Sequence, residues 1–426
     1  MSAISKRLKR WLGWGGLLVL LLSLIASDQA PAHTPRTDLQ LRSTPYAFNF
    51  VTWELEATLN KLLYGLLAPQ RFMDDEMRAH FVLAYLDSVA ASQALDRAIT
   101  AAYVNPEIAD PDAETRALQA ELAALRARLA RESPIAEAIL EEQLTQILRE
   151  GGFGVLGQLF PPLSGTFTPL PQLLIISPRD HIERSYQRAL LPGLTAAQQE
   201  ALEAALEAQD PTISAYVTNI GGLSAYPAML RESSALDWVA EVMAHEWAHH
   251  YLMGYPLGWY YDRAPETRTI NETSASLLGE WAGQEAVLTF YRPLLARTKA
   301  LPNPLIRPEE DTTTARFDFR AEMHHTRIIV DALLDAGQIE KAEAYMELQR
   351  RYFVSQGYRI RRLNQAYFAF HGAYASQPGG ASGRDEVGPA VRRLWGLLET
   401  PQEFLRTIAA FTTLDAVRAA EETLAP

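Results

Sequence analysis

His245-Glu246-Trp247-Ala248-His249 is the stretch on which the reading of this chain turns. On a helix, His-Glu-x-x-His sets two imidazoles one turn apart on the same side, where both reach a single zinc ion. Glu246, offset between them, reaches a water held by the metal rather than the metal itself. Counting His250, residues 245–250 hold three of the nine histidines of the chain. The bland alternative is a surface helix that happens to carry the pattern, and the flanking residues decide between the two.

Those residues outline a helix. Ser234 with Asp237 forms a capping-box pattern, Gly254 stands where a C-terminal cap belongs, and Leu236, Val239, Ala240, Met243 and Trp247 supply a packing face. Asp237, Glu241, His245 and His249 follow at intervals of four as a slowly drifting polar stripe. Glu241 either orients a ligand histidine or, the favoured reading, is a solvated acid near the positive helix N-terminus. His250 points about 100° away from His249 and is not expected to be a ligand.

A catalytic zinc site normally takes a third protein ligand and keeps one position for water. Leu252 and Tyr255 occupy the places where a metzincin carries glycine and a third histidine, which excludes that class. Asp262 stands thirteen residues after His249, without supporting motif residues. Glu272, in Thr269-Ile270-Asn271-Glu272-Thr273-Ser274-Ala275, follows His249 by 23 residues and opens an amphipathic helix expected to run to about Phe290. Thr269-x-x-Glu272 also reads as a capping box, in which case the glutamate merely closes the helix start and Glu280 or Asp262 is next in line.

In these two helices, roughly 60 residues, the chain resembles the gluzincins, the thermolysin-like clan of zinc metallopeptidases, in an uncharacterised bacterial branch. That clan takes its third ligand from a glutamate some twenty residues beyond the second histidine, often preceded by asparagine, as Asn271 precedes Glu272 here. The resemblance implies zinc as cofactor, His245, His249 and Glu272 as its ligands, Glu246 as the base, and peptides or proteins as substrates. It departs where the thermolysin pattern continues with Ser-Asp and this chain has Ala275-Ser276. Candidates for stabilising the transition state are Tyr367 and His371, which share a helical face, and His324 or His325.

The remaining sequence is expected to form an α+β, predominantly helical fold. Residues 46–150 read as helical, with Leu118, Leu122, Leu125 and Leu129 at helical spacing. A zincin-like catalytic region is expected over 151–300, its small sheet backing the motif helix. In that region, Leu173-Leu174-Ile175-Ile176-Ser177 and Thr212–Thr218 read as strands, and 181–191 and 195–208 as helices. The stretch Thr212 to Leu230 is a candidate edge strand for an extended peptide. Residues 301–426 read as helical, broken at Gln377 to Arg384.

At the N-terminus, Lys6, Arg7, Lys9 and Arg10 precede an uncharged, leucine-rich run from Trp11 to Ser27, and 28–45 reads as a linker. Residues 1–27 are expected to be an uncleaved membrane anchor with its N-terminus cytoplasmic and the rest extracytoplasmic. The alternative is a cleaved signal peptide, for which Ala30-Pro31-Ala32 is a poor site. A net charge of −12 argues against nucleic acid as partner, and the lack of cysteine removes thiolate metal sites and cysteine nucleophiles. Two further functions fit the motif: a zinc hydrolase of a non-peptide, cell-wall type amide, and an inactive zincin-like scaffold that binds a partner.

Overall fold

The computed structural model describes residues 35–104, 108, 110–292, 294, 317–372 and 386–424. The chain falls into two units, 1–46 and 47–426. In the first, helix α1 (Pro35–Ser43) occupies half of the expected linker. It ends where the Ser43 and Thr44 hydroxyls bond back to the carbonyls of Leu39 and Gln40, each at 2.7 Å.

The second unit opens with three helices, α2 (Phe50–Leu67), α3 (Asp75–Val104) and α4 (Pro111–Leu148). Asn49 and Asp110 cap α2 and α4 by accepting from the backbone N–H groups of Thr52 and Ala113. The leucine stripe of α4 behaves as its spacing predicts, with Leu122 and Leu129 buried. Beyond Pro134 the same helix buries Ile139, Leu140, Leu144 and Leu148 in the main core.

A short hairpin, β1 (Gly154–Val155) and β2 (Gln158–Leu159), leads to strands β3 (Gly165–Phe167), β4 (Gln172–Pro178) and β5 (Tyr186–Leu190). Helix α5 (Ala196–Gln209), held by the Thr195/Gln198 capping box, comes next. After it run β6 (Ile213–Thr218), β7 (Gly222–Leu223) and β8 (Ala228–Leu230). One sheet has the order β5-β4-β6, all antiparallel, around the buried β4; the other is β3-β8-β7, with β3 parallel and β7 antiparallel to β8.

Two expectations are corrected here. Residues 181–191 form no helix: they are a loop and then β5, because the ladder with β4 from Gln172↔Leu190 to Ile176↔Tyr186 satisfies the central strand's backbone and overrides local propensity. The stretch 212–230 is not one strand but contributes β6 to one sheet and β7 and β8 to the other.

Helix α6 (Leu236–Leu252) carries the motif, the short α7 (Pro256–Trp259) follows, and α8 (Pro265–Ala286) returns against α6. The Ser234–Asp237 box does not form; Ala235 is the N-cap and no side chain caps it. Helix α8 begins four residues earlier than Thr269, with proline in its first turn, and the Thr269 hydroxyl bonds back to the Pro265 carbonyl at 3.0 Å. Glu272 therefore lies two turns inside a helix, and the capping alternative for it is gone. Gly279 and Gly283 let the two helices touch backbone to backbone. A Cβ at 279 would stand 2.6 Å from the Glu241 carbonyl oxygen, and one at 283 would stand 2.9 Å from the Glu241 nitrogen.

The described part of the C-terminal region forms α9 (Phe319–Asp335), α10 (Ile339–Ser355) and α11 (Gln365–His371), then α12 (Val387–Leu397), α13 (Pro401–Ile408) and α14 (Leu414–Leu424). The first group has its own core of Met323, Val330, Leu334, Met346 and Phe353. The second adds Val391, Leu394, Phe404 and Val417 to the main core with α6 and α8. The fold is thus α+β and predominantly helical, with sheets of two or three strands.

The expected single-pass membrane placement is corrected: among the described residues no helix is long and apolar enough to cross a membrane. The run Trp11 to Ser27, the Ala30-Pro31-Ala32 site and the break at Gln377 to Arg384 lie outside the described residues. Neither the anchor nor an extracytoplasmic location is carried further.

Candidate metal centre

Helical geometry alone brings the two histidines of α6 together, with their Nε2 atoms 3.0 Å apart. The glycine contact between α6 and α8 then delivers Glu272, whose Oε2 lies 3.5 Å from His245 Nε2 and 3.6 Å from His249 Nε2. Ligand atoms on a tetrahedron around zinc at its usual bond lengths stand about 3.4 Å from one another, so these three positions fit one ion. A second observation agrees. Glu272 Oε2 is buried and has no hydrogen-bond partner, a costly state for a carboxylate oxygen unless a cation meets it. Among the described residues this is the one His/Asp/Glu group with such an arrangement.

The surroundings of the trio orient each member. Asn271 Oδ1 lies 2.8 Å from His249 Nδ1, and its Nδ2 donates to the Leu257 carbonyl at 3.1 Å. That second bond fixes which end of the amide is the acceptor, so Nδ1 of His249 carries a proton and Nε2 is the nitrogen turned toward Glu272. Ser276 Oγ sits 3.4 Å from His245 Nδ1, at the position where an aspartate was missing from the resembled pattern. The Tyr261 hydroxyl donates to Glu272 Oε1, leaving Oε2 for the histidines.

Charge couples the three. Burial alone would lower the pKa of His249, but the negative charge of Glu272 beside it outweighs burial and pushes the imidazole up to about 9. Burial alone would raise Glu272, and the two histidines hold it well below the usual carboxylate range instead.

Glu246 is buried beside this group, and burial raises its carboxyl above the usual range against the opposing pull of His245 and His249. The main chain of β7 passes against it. A Cβ on Gly222 would stand 2.3 Å from Glu246 Oε1 and 2.9 Å from Val242 Cγ1. Strand β7 is an edge of its sheet, and its Gly222 lies against the carboxylate.

The other sequence candidates lie elsewhere. Asp262 pairs with Arg184 at 2.9 Å and Arg268 at 3.3 Å rather than with the trio. Glu280 is two turns further along α8 and outside the trio. His250 packs its ring 5.5 Å from that of Tyr226.

Tyr367 and His371 do share a face, their rings 4.3 Å apart, but that face meets Tyr216 of β6 at 5.4 and 6.2 Å. Their ring contacts run to each other and to Tyr216 rather than to the trio. The reason is the docking of α11: its N-cap Asn364 donates to the Ala215 carbonyl of β6 at 2.9 Å and holds the helix on that sheet. His324 and His325 lie on α9, also outside the trio.

Sequence reasoning missed Tyr261, Ser276 and Gly222. Tyr261 directly precedes Asp262 but nothing in the sequence marks its partner, and a glycine gives no sign of what it lies against. No protein-family model, no curated protein and no solved structure matches this chain.

Proposed function

We propose that this protein is a zinc-dependent metallopeptidase of the gluzincin kind, with His245, His249 and Glu272 as ligands and Glu246 as the base. The observation that carries this reading is the convergence of two imidazole Nε2 atoms and an unpartnered buried carboxylate oxygen, at 3.0 to 3.6 Å, beside a buried glutamate. Zinc held there supplies Lewis acidity, lowering the pKa of a water toward about 7 and polarising a carbonyl.

The chain's own residues do the rest. Glu246, its carboxyl raised by burial, is suited to accept a proton from the attacking water and return it to the leaving amine. Asn271 and Ser276 keep the histidines in register, and Tyr261 orients Glu272. The edge strand β7 offers main-chain groups to an extended peptide next to Glu246.

The test is hydrolysis of an unstructured protein by zinc-loaded wild type and Glu246→Gln. Wild type is expected to cleave it, and the variant to lose turnover while retaining zinc. A wild type that hydrolyses no peptide but cleaves a cell-wall amide, or cleaves no amide at all, overturns the peptidase reading.

A further inference from the structure

Two buried arginines lie next to the candidate metal centre and are not needed to build it. Arg184 comes from the loop between β4 and β5, and Arg268 from α8, one turn before Glu272. Their side chains are 7% and 6% exposed. Both guanidinium groups lie over the ring of Tyr261, 5.5 and 5.8 Å from its centroid, and Tyr261 is the residue that donates to Glu272.

The charges there do not balance. Both arginines reach the same oxygen, Asp262 Oδ1, at 2.9 and 3.3 Å, and the side chain of Asp262 is 72% exposed. Arg268 Nε is buried with no partner. Burial and the neighbouring charge of Arg184 also press the Arg268 guanidinium below its ordinary pKa. Against burial, Tyr261, Asp262 and Glu272 together keep Arg184 charged, so the shortfall lies at Arg268, whose Nε has no partner and which shares its one carboxylate with Arg184. A guanidinium has five donors in a planar fork that matches a carboxylate, so the pair has donors to spare for one more anion.

We infer that Arg184 and Arg268 form a carboxylate-binding subsite that takes the C-terminal carboxylate of a peptide, with Asp262 as the exchangeable internal carboxylate in its absence. This rests on the peptidase reading and makes the enzyme an exopeptidase acting at free C-termini. The reach is suitable. The Tyr261 ring lies 6.1 Å from that of His249, which puts the guanidinium groups within about 12 Å of the imidazole. An extended chain covers that in roughly three residues, at about 3.3–3.6 Å each.

The experiment is calorimetric binding of three acetylated peptides, alike except at the C-terminal residue or group, to metal-free wild type and to zinc-loaded Glu246→Gln. One has a free C-terminal acid, one a C-terminal amide, and one an amide with glutamate as the last residue. The acid is expected to bind at least about ten-fold tighter than the plain amide, the scale of a charge-assisted hydrogen bond. That advantage should vanish in Arg184→Gln and grow in Asp262→Asn, the fold of each variant being checked by circular dichroism.

Equal binding of acid and amide, no binding of either, or an acid advantage unchanged in Asp262→Asn overturns the subsite. Binding of the glutamate amide as tight as the acid overturns the C-terminal assignment in favour of an acidic side chain. These outcomes are read without turnover. An acid preference in a protein that hydrolyses nothing therefore leaves the subsite standing and removes the peptidase reading alone.

Discussion

Asn271 determines which nitrogen of His249 faces Glu272. Its amide is locked between His249 Nδ1 at 2.8 Å and the Leu257 carbonyl at 3.1 Å, so only the Nδ1–H tautomer fits. Asn271→Leu removes the acceptor and should weaken zinc binding by about 10–100-fold in a chelator competition. Asn271→Asp keeps the acceptor while losing the bond to Leu257, and should lose less. Equal affinity in wild type and Asn271→Leu would show that the tautomer is set by something else.

Gly279 is where α8 touches α6. A Cβ there meets the Glu241 carbonyl oxygen at 2.6 Å and His245 Cβ at 3.1 Å, and a backbone carbonyl cannot swing aside as a side chain does. Gly279→Ala should therefore cost about 1–3 kcal/mol in denaturant unfolding and lower zinc occupancy, because Glu272 moves with its helix. Gly396→Ala on α12 is the control. With nothing within 4 Å of its Cβ, it should leave stability equal or raise it by about 0.4–1 kcal/mol.

Gly222 leaves room for the carboxylate of Glu246. Gly222→Ala places a methyl group 2.3 Å from Glu246 Oε1, the mobile end of that side chain, and 2.9 Å from Val242. The carboxylate should yield while the fold and the metal remain. Steady-state kinetics should then show kcat reduced by about 100-fold, the cost of misplacing a reacting group by about 1 Å, at unchanged zinc content. Full activity in Gly222→Ala would remove β7 from the account of the site.

Metal removal separates ligands from base. A metal that binds only the folded chain stabilises it by about 4 kcal/mol at a thousand-fold excess over its dissociation constant. Chelation should lower the Tm of wild type and of Glu246→Gln by the same amount, since Glu246 is no ligand. It should hardly change the Tm of His249→Ala, which scanning calorimetry can check.

How much of this was legible in the sequence depends on whether the signal was local. The i,i+4 spacing of His245 and His249 needs only a helix, and the leucine stripe of α4 needs only a periodicity; both read directly. Glu272 is reachable by its distance from the motif, but whether it begins a helix or lies inside one depends on Pro265, where that helix starts. Residues 181–191 read as a helix because their apolar spacing suited one, whereas the pairing of β5 with β4 is a long-range term. Tyr367 and His371 share a face as expected, yet which surface that face meets is set by Asn364 and Ala215, 149 residues apart in the chain. The Arg184–Tyr261–Arg268 cluster draws on two segments about 80 residues apart, and no motif joins them.

The most direct measurement is the zinc content of purified wild type, His249→Ala and Glu272→Ala, read by mass spectrometry after equilibration with limiting zinc. The account predicts one tightly held zinc per wild-type chain and loss of that zinc from both variants. Equal zinc in wild type and Glu272→Ala would contradict it.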